Sequence, residues 1–156
     1  MITATYVDHM GSDLSVVNAA RVSFGKNHTE MTEGDTRLIK YLAKYKHTSP
    51  FGHAFASFHV KAPVFVARQL VKHKFLRWNE ISRRYVDDEP EFYQPDVWRG
   101  RSEDAKQGSE GVTYPDPDIV SFYNHTALRS YNELLENGVC PEQARMVLPQ
   151  STMTEW

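Results

Sequence analysis

Apolar and polar positions alternate over residues 2–8, which predicts an opening strand, and Gly11-Ser12-Asp13 breaks the pattern. Ser12 or Asp13 can cap a helix whose apolar face carries Val16, Val17, Ala19, Ala20 and Val22. Thr32 and Asp35 are candidate N-caps of a second helix, with Leu38, Ile39, Leu42 and Tyr45 as its buried stripe. A turn-rich connection over 47–53 leads into a strand at 53–60. One face of that strand shows His53, Phe55, Ser57 and His59, and the other shows Ala54, Ala56, Phe58 and Val60. Ala62-Pro63 starts a third helix with proline at its first position. Its residues 64–71 are apolar around most of the circumference, which predicts a largely buried helix.

Beyond it, 81–85 reads as a short strand, 87–91 as an acidic turn, and 92–95 as an edge strand, since Pro95 cannot donate to a ladder. Residues 100–117 are polar and rich in Gly, Ser, Asp and Pro, the composition of a long flexible loop. Asp118 caps a helix through Phe122, Ala127, Leu128, Tyr131, Leu134 and Leu135 that Asn137-Gly138 ends. Pro141 opens a last short helix that runs to Leu148 and is closed by Pro149. Separated helices and short strands predict an α+β fold, a small mixed or antiparallel sheet packed with helices, in one domain spanning 1–156.

Composition narrows this picture only modestly. The chain of 156 residues is 40% hydrophobic and 24% charged, with a formal charge of -2, as in ordinary globular proteins. It shows no apolar run of membrane-spanning length and no secretory start, so a cytoplasmic location is expected and a membrane partner is not. The single Cys140 excludes an internal disulfide. It precedes a helix start, but no histidine lies near it in sequence, so a packed or half-exposed thiol is expected rather than a nucleophile. His47, His53 and His59 stand six apart with no companion cysteine, a spacing that does not read as a metal site.

Charge does change the picture at residues 72–85. Lys72, Lys74, Arg77, Arg83 and Arg84 crowd together against one carboxylate, Glu80, in an otherwise slightly acidic chain. Trp78, Asn79, Ser82 and Tyr85 lie among them and could stack on and orient a planar ligand. Arg68 and Lys72, like Gln69 and His73, are four apart on the preceding helix, so a polar stripe leads into the cations. The stretch reads either as the wall of a pocket for a phosphate-bearing, ring-containing molecule or as a solvated basic loop. A single-stranded nucleic-acid-binding module is a further reading, although the basic residues form one knot rather than a track.

The sequence Lys72-His73-Lys74-Phe75-Leu76-Arg77-Trp78-Asn79-Glu80-Ile81-Ser82-Arg83-Arg84 resembles the signature of the flavin-dependent thymidylate synthases, Arg-His-Arg-x-x-Ser-x-Asn-Glu-x-Ser-x-Arg. The segments 19–23, 49–51, 58–69 and 144–149 are similar to other blocks of that family, in order and over nearly the whole chain. The resemblance implies reductive methylation of dUMP to dTMP, with 5,10-methylenetetrahydrofolate as carbon donor and NADPH-reduced FAD as hydride carrier. It implies that Ser49, Lys72, His73, Lys74 and Glu80 contact FAD. It places Gln69, Lys72, Glu80, Ile81, Ser82, Arg83, Arg84 and Arg145 around dUMP, and it implies a homotetramer with sites shared between subunits. It implies neither a metal nor a nucleic-acid partner.

Three departures qualify it. Lys72 and Lys74 replace arginines, keeping the charge but losing the two-pronged donor fork. Arg77 replaces a serine, where it would add an anion contact or crowd the site. The family pattern also continues past the position of Trp156, with further flavin contacts and an arginine that activates the uracil ring. The sequence is therefore read as a C-terminally truncated member, expected alone to bind flavin weakly and to turn over slowly or not at all. A catalytically impaired flavin- and nucleotide-binding subunit is the corresponding alternative.

Overall fold

The computed structural model describes all residues except Asp87, Ala105 and Pro117. It is an α+β structure of two compact units, residues 4–59 and residues 1–3 with 60–156.

In the first unit, strand β1 (Thr3–Met10) lies beside the opening residues of β2 (Phe55–Pro63), and helices α1 (Asp13–Arg21) and α2 (Glu33–Lys44) follow β1. Val16 and Val17 on α1 and Leu42 on α2 are buried, as the helical spacing predicts, whereas Val22 and Tyr45, expected on the same faces, lie just past the helix ends and are exposed. Gly11, at a φ of +80°, turns the chain between β1 and α1, and a Cβ there would collide with the His53 carbonyl.

The strongest fastening in this unit is polar. Thr32 is the N-cap of α2, and Asp35 is not a cap itself but the reciprocal member of a capping box. The Thr32 N–H and hydroxyl donate to Asp35 Oδ2 at 3.1 and 2.7 Å. His28 Nδ1 donates to the same oxygen at 2.8 Å, and the Arg21 guanidinium reaches Oδ1 at 2.9 and 2.6 Å. Arg21, part of the sequence block at 19–23, thus ties α1 to α2. Asn18 completes the knot by exchanging hydrogen bonds with the His28 backbone at 2.9 and 2.8 Å.

In the second unit, the end of β2 pairs antiparallel with β5 (Met153–Glu155), in the register Lys61↔Glu155, Ala62↔Thr154, Pro63↔Met153. Pro63 is the last strand residue and the N-cap of α3 (Val64–Leu70), which therefore starts one residue later than expected. Within α3 Ala67 is buried, but Phe65 and Leu70 are exposed, as is Val71 beyond it, so the expectation of a largely buried helix fails. Periodicity shows which positions are apolar, not what covers them.

Residues 81–85 form a turn rather than a strand, closed by a bond from Tyr85 N–H to Ser82 C=O at 3.0 Å. Phe92 makes only an isolated bridge, to Thr152. The stretch expected as a flexible loop contains a β-hairpin, β3 (Trp98–Arg101) with β4 (Ser109–Thr113), which has a bulge between Arg99 and Gly100. Its strands are too polar and too rich in glycine to show alternation. Ala105 and Pro117 of that stretch, and Asp87 of the acidic turn, lie outside the described residues. Helix α4 (Asp118–Glu136) buries Asn124 and Tyr131, and Gly138, at a φ of +80°, follows it. Helix α5 (Pro141–Ala144) is shorter than expected and tightens into a 3₁₀ turn over Arg145–Val147. Among the described residues no helix is long and apolar enough to cross a membrane.

Burial alone would push the Asp35 carboxyl up, but hydrogen bonds from His28, Thr32 and Arg21 outweigh it and hold it well below the usual carboxylate range. The folded chain therefore binds that proton less readily than the unfolded one. The stabilisation is complete above the ordinary carboxylate pKa and drains away as pH falls below about 4. Asp35→Asn should lower Tm at neutral pH by on the order of 10 °C, because the Arg21 charge loses its partner. The gap between wild type and variant should narrow in thermal melts from pH 4 to pH 2; a gap that stays constant would contradict the assignment.

Candidate active site

The second unit contains a half-open cavity of about 500 Å³ lined by α3, residues 78–83 and residues 142–154. From α3 it is lined by Val64, Ala67, Arg68 and, just past the helix, Val71. Their spacing of three, four and seven puts them on one helical face. Trp78, Glu80, Ile81 and Arg83 come from the basic stretch, and Glu142, Arg145, Met146 and Leu148 from α5 and the turn after it. Pro149, Gln150 and Thr152 to Thr154 close the remaining side.

The charges have distinct surroundings. Glu80 accepts from the Thr154 hydroxyl at 2.6 Å through one oxygen and from the Trp78 indole N–H at 3.2 Å through the other. Trp78 in turn stacks on Trp156, with ring centroids 4.6 Å apart and planes 21° from parallel. Arg83 donates to the Asp88 carbonyl. Arg84 pairs with Glu142 at 3.0 Å, and Glu142 lines the cavity. The Glu142 carboxyl is held below its ordinary value by a hydrogen bond from its own backbone N–H, then by Arg84, Cys140 and Arg145, against the opposing effect of desolvation. Beyond the wall, Lys61 bridges Glu91 and Glu155 at 2.9 and 3.6 Å, and the Glu91 hydrogen bond raises its ammonium above the ordinary lysine value.

Of the residues expected at the nucleotide, Glu80, Ile81, Arg83 and Arg145 meet at this cavity. Gln69, Lys72, Ser82 and Arg84 are not in its lining. Gln69 accepts from Lys72 Nζ at 3.3 Å on a neighbouring face, about 100° around α3 from Arg68. Ser82 accepts from the Arg84 backbone N–H at 3.3 Å. Of those expected at the flavin, Lys72, His73 and Lys74 are exposed in the turn after α3, with the His73 ring against Phe75. Ser49 belongs to the first unit, where it opens an exposed 3₁₀ turn, Ser49–His53. Arg68, Trp78 and Thr154 also line the cavity, although the family resemblance does not name them as site residues; the aromatic content of 72–85 and the polar stripe of α3 point to the first two. Arg68 was traceable through the 64, 67, 68, 71 spacing, whereas Thr154 has no local signal, because its partner is 74 residues away. Cys140 is exposed at the N-cap of α5, away from the cavity lining.

The family of the thymidylate synthase complementing protein matches residues 5–156. The flavin-dependent thymidylate synthase of Thermus thermophilus is 44% identical over 152 residues, covering 96% of this chain and 56% of that protein. That of Thermosipho africanus is 42% identical over 155 residues, covering 96% of this chain and 68% of the relative. Among solved structures, the UMP/dUMP methylase PolB of Streptomyces cacaoi, bound with 5-Br dUMP, superposes with a TM-score of 0.85 at 34% identity. That match covers 99% of this chain and 71% of PolB. The chain thus spans little more than half the length of the Thermus relative. With both the match over residues 5–156 and the shared fold in hand, the chain belongs to the thymidylate synthase complementing protein family, whose curated relatives are flavin-dependent thymidylate synthases.

Proposed function

We propose that the chain serves the reductive methylation of dUMP to dTMP, with the nucleotide in the cavity lined by Arg68, Arg83, Arg145, Trp78 and Glu80. The observation that carries this reading is the convergence of three arginines, a tryptophan and an acceptor glutamate on one cavity of about 500 Å³, with the Arg83 guanidinium already donating to the Asp88 carbonyl. The signature stretch and the 144–149 block, far apart in sequence, both contribute to its lining. PolB, described as bound with 5-Br dUMP and in a second structure with 5-Br UMP, supports a uracil nucleotide as ligand. The family match favours this enzyme over the nucleic-acid-binding module that the basic stretch left open.

Each group has a physical task. A guanidinium fork donates paired hydrogen bonds to phosphate oxygens, which suits Arg145 and Arg68. Glu80 offers remaining lone pairs to a donor on the base or sugar. Val64, Ala67, Val71 and Leu148 keep water from the base. Lys72 and Lys74, exposed beside His73, would supply the positive field that a diphosphate needs, so these residues fit FAD, while Ser49 is assigned to the flavin by the resemblance alone. That cofactor would supply the redox chemistry, replenished by NADPH, with 5,10-methylenetetrahydrofolate as carbon donor. No cysteine nucleophile is required, in keeping with the position of Cys140. Gln69, Lys72, Ser82 and Arg84 would complete a site shared between subunits of a homotetramer, in the cytoplasm. Exposed Phe65, Phe75, Phe122 and Met146 offer the apolar surface that such an assembly covers. The portion of the relatives beyond the matched length would add the remaining contacts.

Arg145→Ala should weaken dUMP binding by about 1–3 kcal/mol, the range for a lost charged hydrogen bond, and leave FAD affinity within about twofold. Separate calorimetric titrations would check this; equal losses for both ligands would refute the role of Arg145. Lys74→Ala should act in reverse, weakening FAD about tenfold in absorbance titrations while sparing dUMP. Unchanged FAD affinity would remove Lys74 from the flavin site.

A further inference from the structure

We propose that Thr154 is a positioning residue for this site, aiming the Glu80 carboxylate at a hydrogen-bond donor of the nucleotide, a ring N–H or a ribose hydroxyl. The proposal rests on reading the cavity as the nucleotide site. Thr154 sits in β5 opposite Ala62 and is 6% exposed. Thr152, equally buried, spends its hydroxyl locally, donating to the Pro149 carbonyl at 2.7 Å. Thr154 instead donates across 74 residues to Glu80 Oε1 at 2.6 Å, a short bond of the charge-assisted kind.

The second oxygen is fixed independently. The Trp78 indole N–H donates to Oε2 at 3.2 Å, and the Trp78 ring is held in plane by its stack on Trp156. Trp156 is itself anchored by two backbone hydrogen bonds with Val60, at 2.8 and 2.9 Å. The backbone just after Glu80 is pinned as well, since the Ile81 N–H donates to the Glu155 carbonyl at 2.9 Å. A glutamate on an exposed stretch ordinarily samples many rotamers, and ordering it on binding would cost affinity. Here both oxygens are already engaged from the wall side. A carboxylate has roughly four acceptor positions, so the unused ones remain for the ligand. The arrangement supports a first-contact residue on a rigid strand, as a preorganised site requires.

Thr154→Val removes the hydroxyl at nearly constant volume, and Thr154→Ser keeps it. By calorimetry, Thr154→Val should weaken dUMP binding about five- to tenfold, Thr154→Ser should stay within about twofold, and Thr154→Val should cost nothing further in a Glu80→Ala background. Wild-type affinity in Thr154→Val, or the same loss in the Glu80→Ala background, would overturn the proposal. A ligand-free measurement stands beside it: solvent exchange of the Trp78 indole proton, with its resonance assigned through Trp78→Phe. Exchange should be about fivefold faster in Thr154→Val than in wild type or Thr154→Ser, because the freed carboxylate no longer holds the indole. Absence of any dUMP binding by the wild-type chain would sink the nucleotide reading, and the indole measurement would still decide on Thr154, with unchanged exchange counting against it.

Discussion

The backbone hydrogen bonds of residues 150–156 hold the second unit together. Val64 and Phe65, at the start of α3, donate to the Thr152 and Gln150 carbonyls at 2.9 and 3.2 Å. Tyr93 donates to Ser151 at 2.7 Å, and Met153 donates back to Glu91 at 2.8 Å. Ile81 donates to Glu155, and Val60 and Trp156 exchange a pair. One extended stretch thereby satisfies main-chain groups from β2, α3, the signature stretch and the 91–93 segment. Leaving such groups unpaired in a partly buried wall would cost more than each bond nets, so the stretch acts as a template and not as a trailing end.

That template explains how a stretch dense in cations can be ordered without regular secondary structure of its own. Residues 78–83 take their position from β5 through the Ile81 backbone, the Thr154 hydroxyl and the stacked tryptophans. Glu142 offsets Arg84, and the Asp88 carbonyl takes up Arg83. Repulsion among these cations is thus relieved group by group, while Arg68 and Arg145 line the cavity. The first unit solves a similar problem differently, burying one carboxylate under five hydrogen bonds from three residues to join two helices.

What was legible in the sequence followed from local physics. Helices α1 and α2 show their apolar spacing and their capping residues, α4 shows its spacing and its Asn137-Gly138 end, and the signature stretch shows its charge anomaly. Positions set by distant pairing were not legible. Residues 153–155 are too short to alternate and become a strand only by meeting 61–63. The β3–β4 hairpin is written in Trp-Arg-Gly-Arg and Ser-Glu-Gly-Val-Thr, where polarity and glycine mask the period. The family resemblance named Glu80, Arg83 and Arg145 together, and they line one cavity, but it did not name the face of α3 that lines it with them. Arg68 rather than Gln69 lines the cavity because a step of one residue turns the helix by about 100°.

The central claim is that the wall built on residues 150–156 holds a uracil nucleotide. The most direct measurement is a crystal structure of the chain with dUMP. The account predicts the nucleotide in the 500 Å³ cavity, its phosphate against guanidinium groups that include Arg145 and a donor of its base or sugar on Glu80. Nucleotide density lodged outside that cavity, with Arg145 and Glu80 untouched, would contradict it.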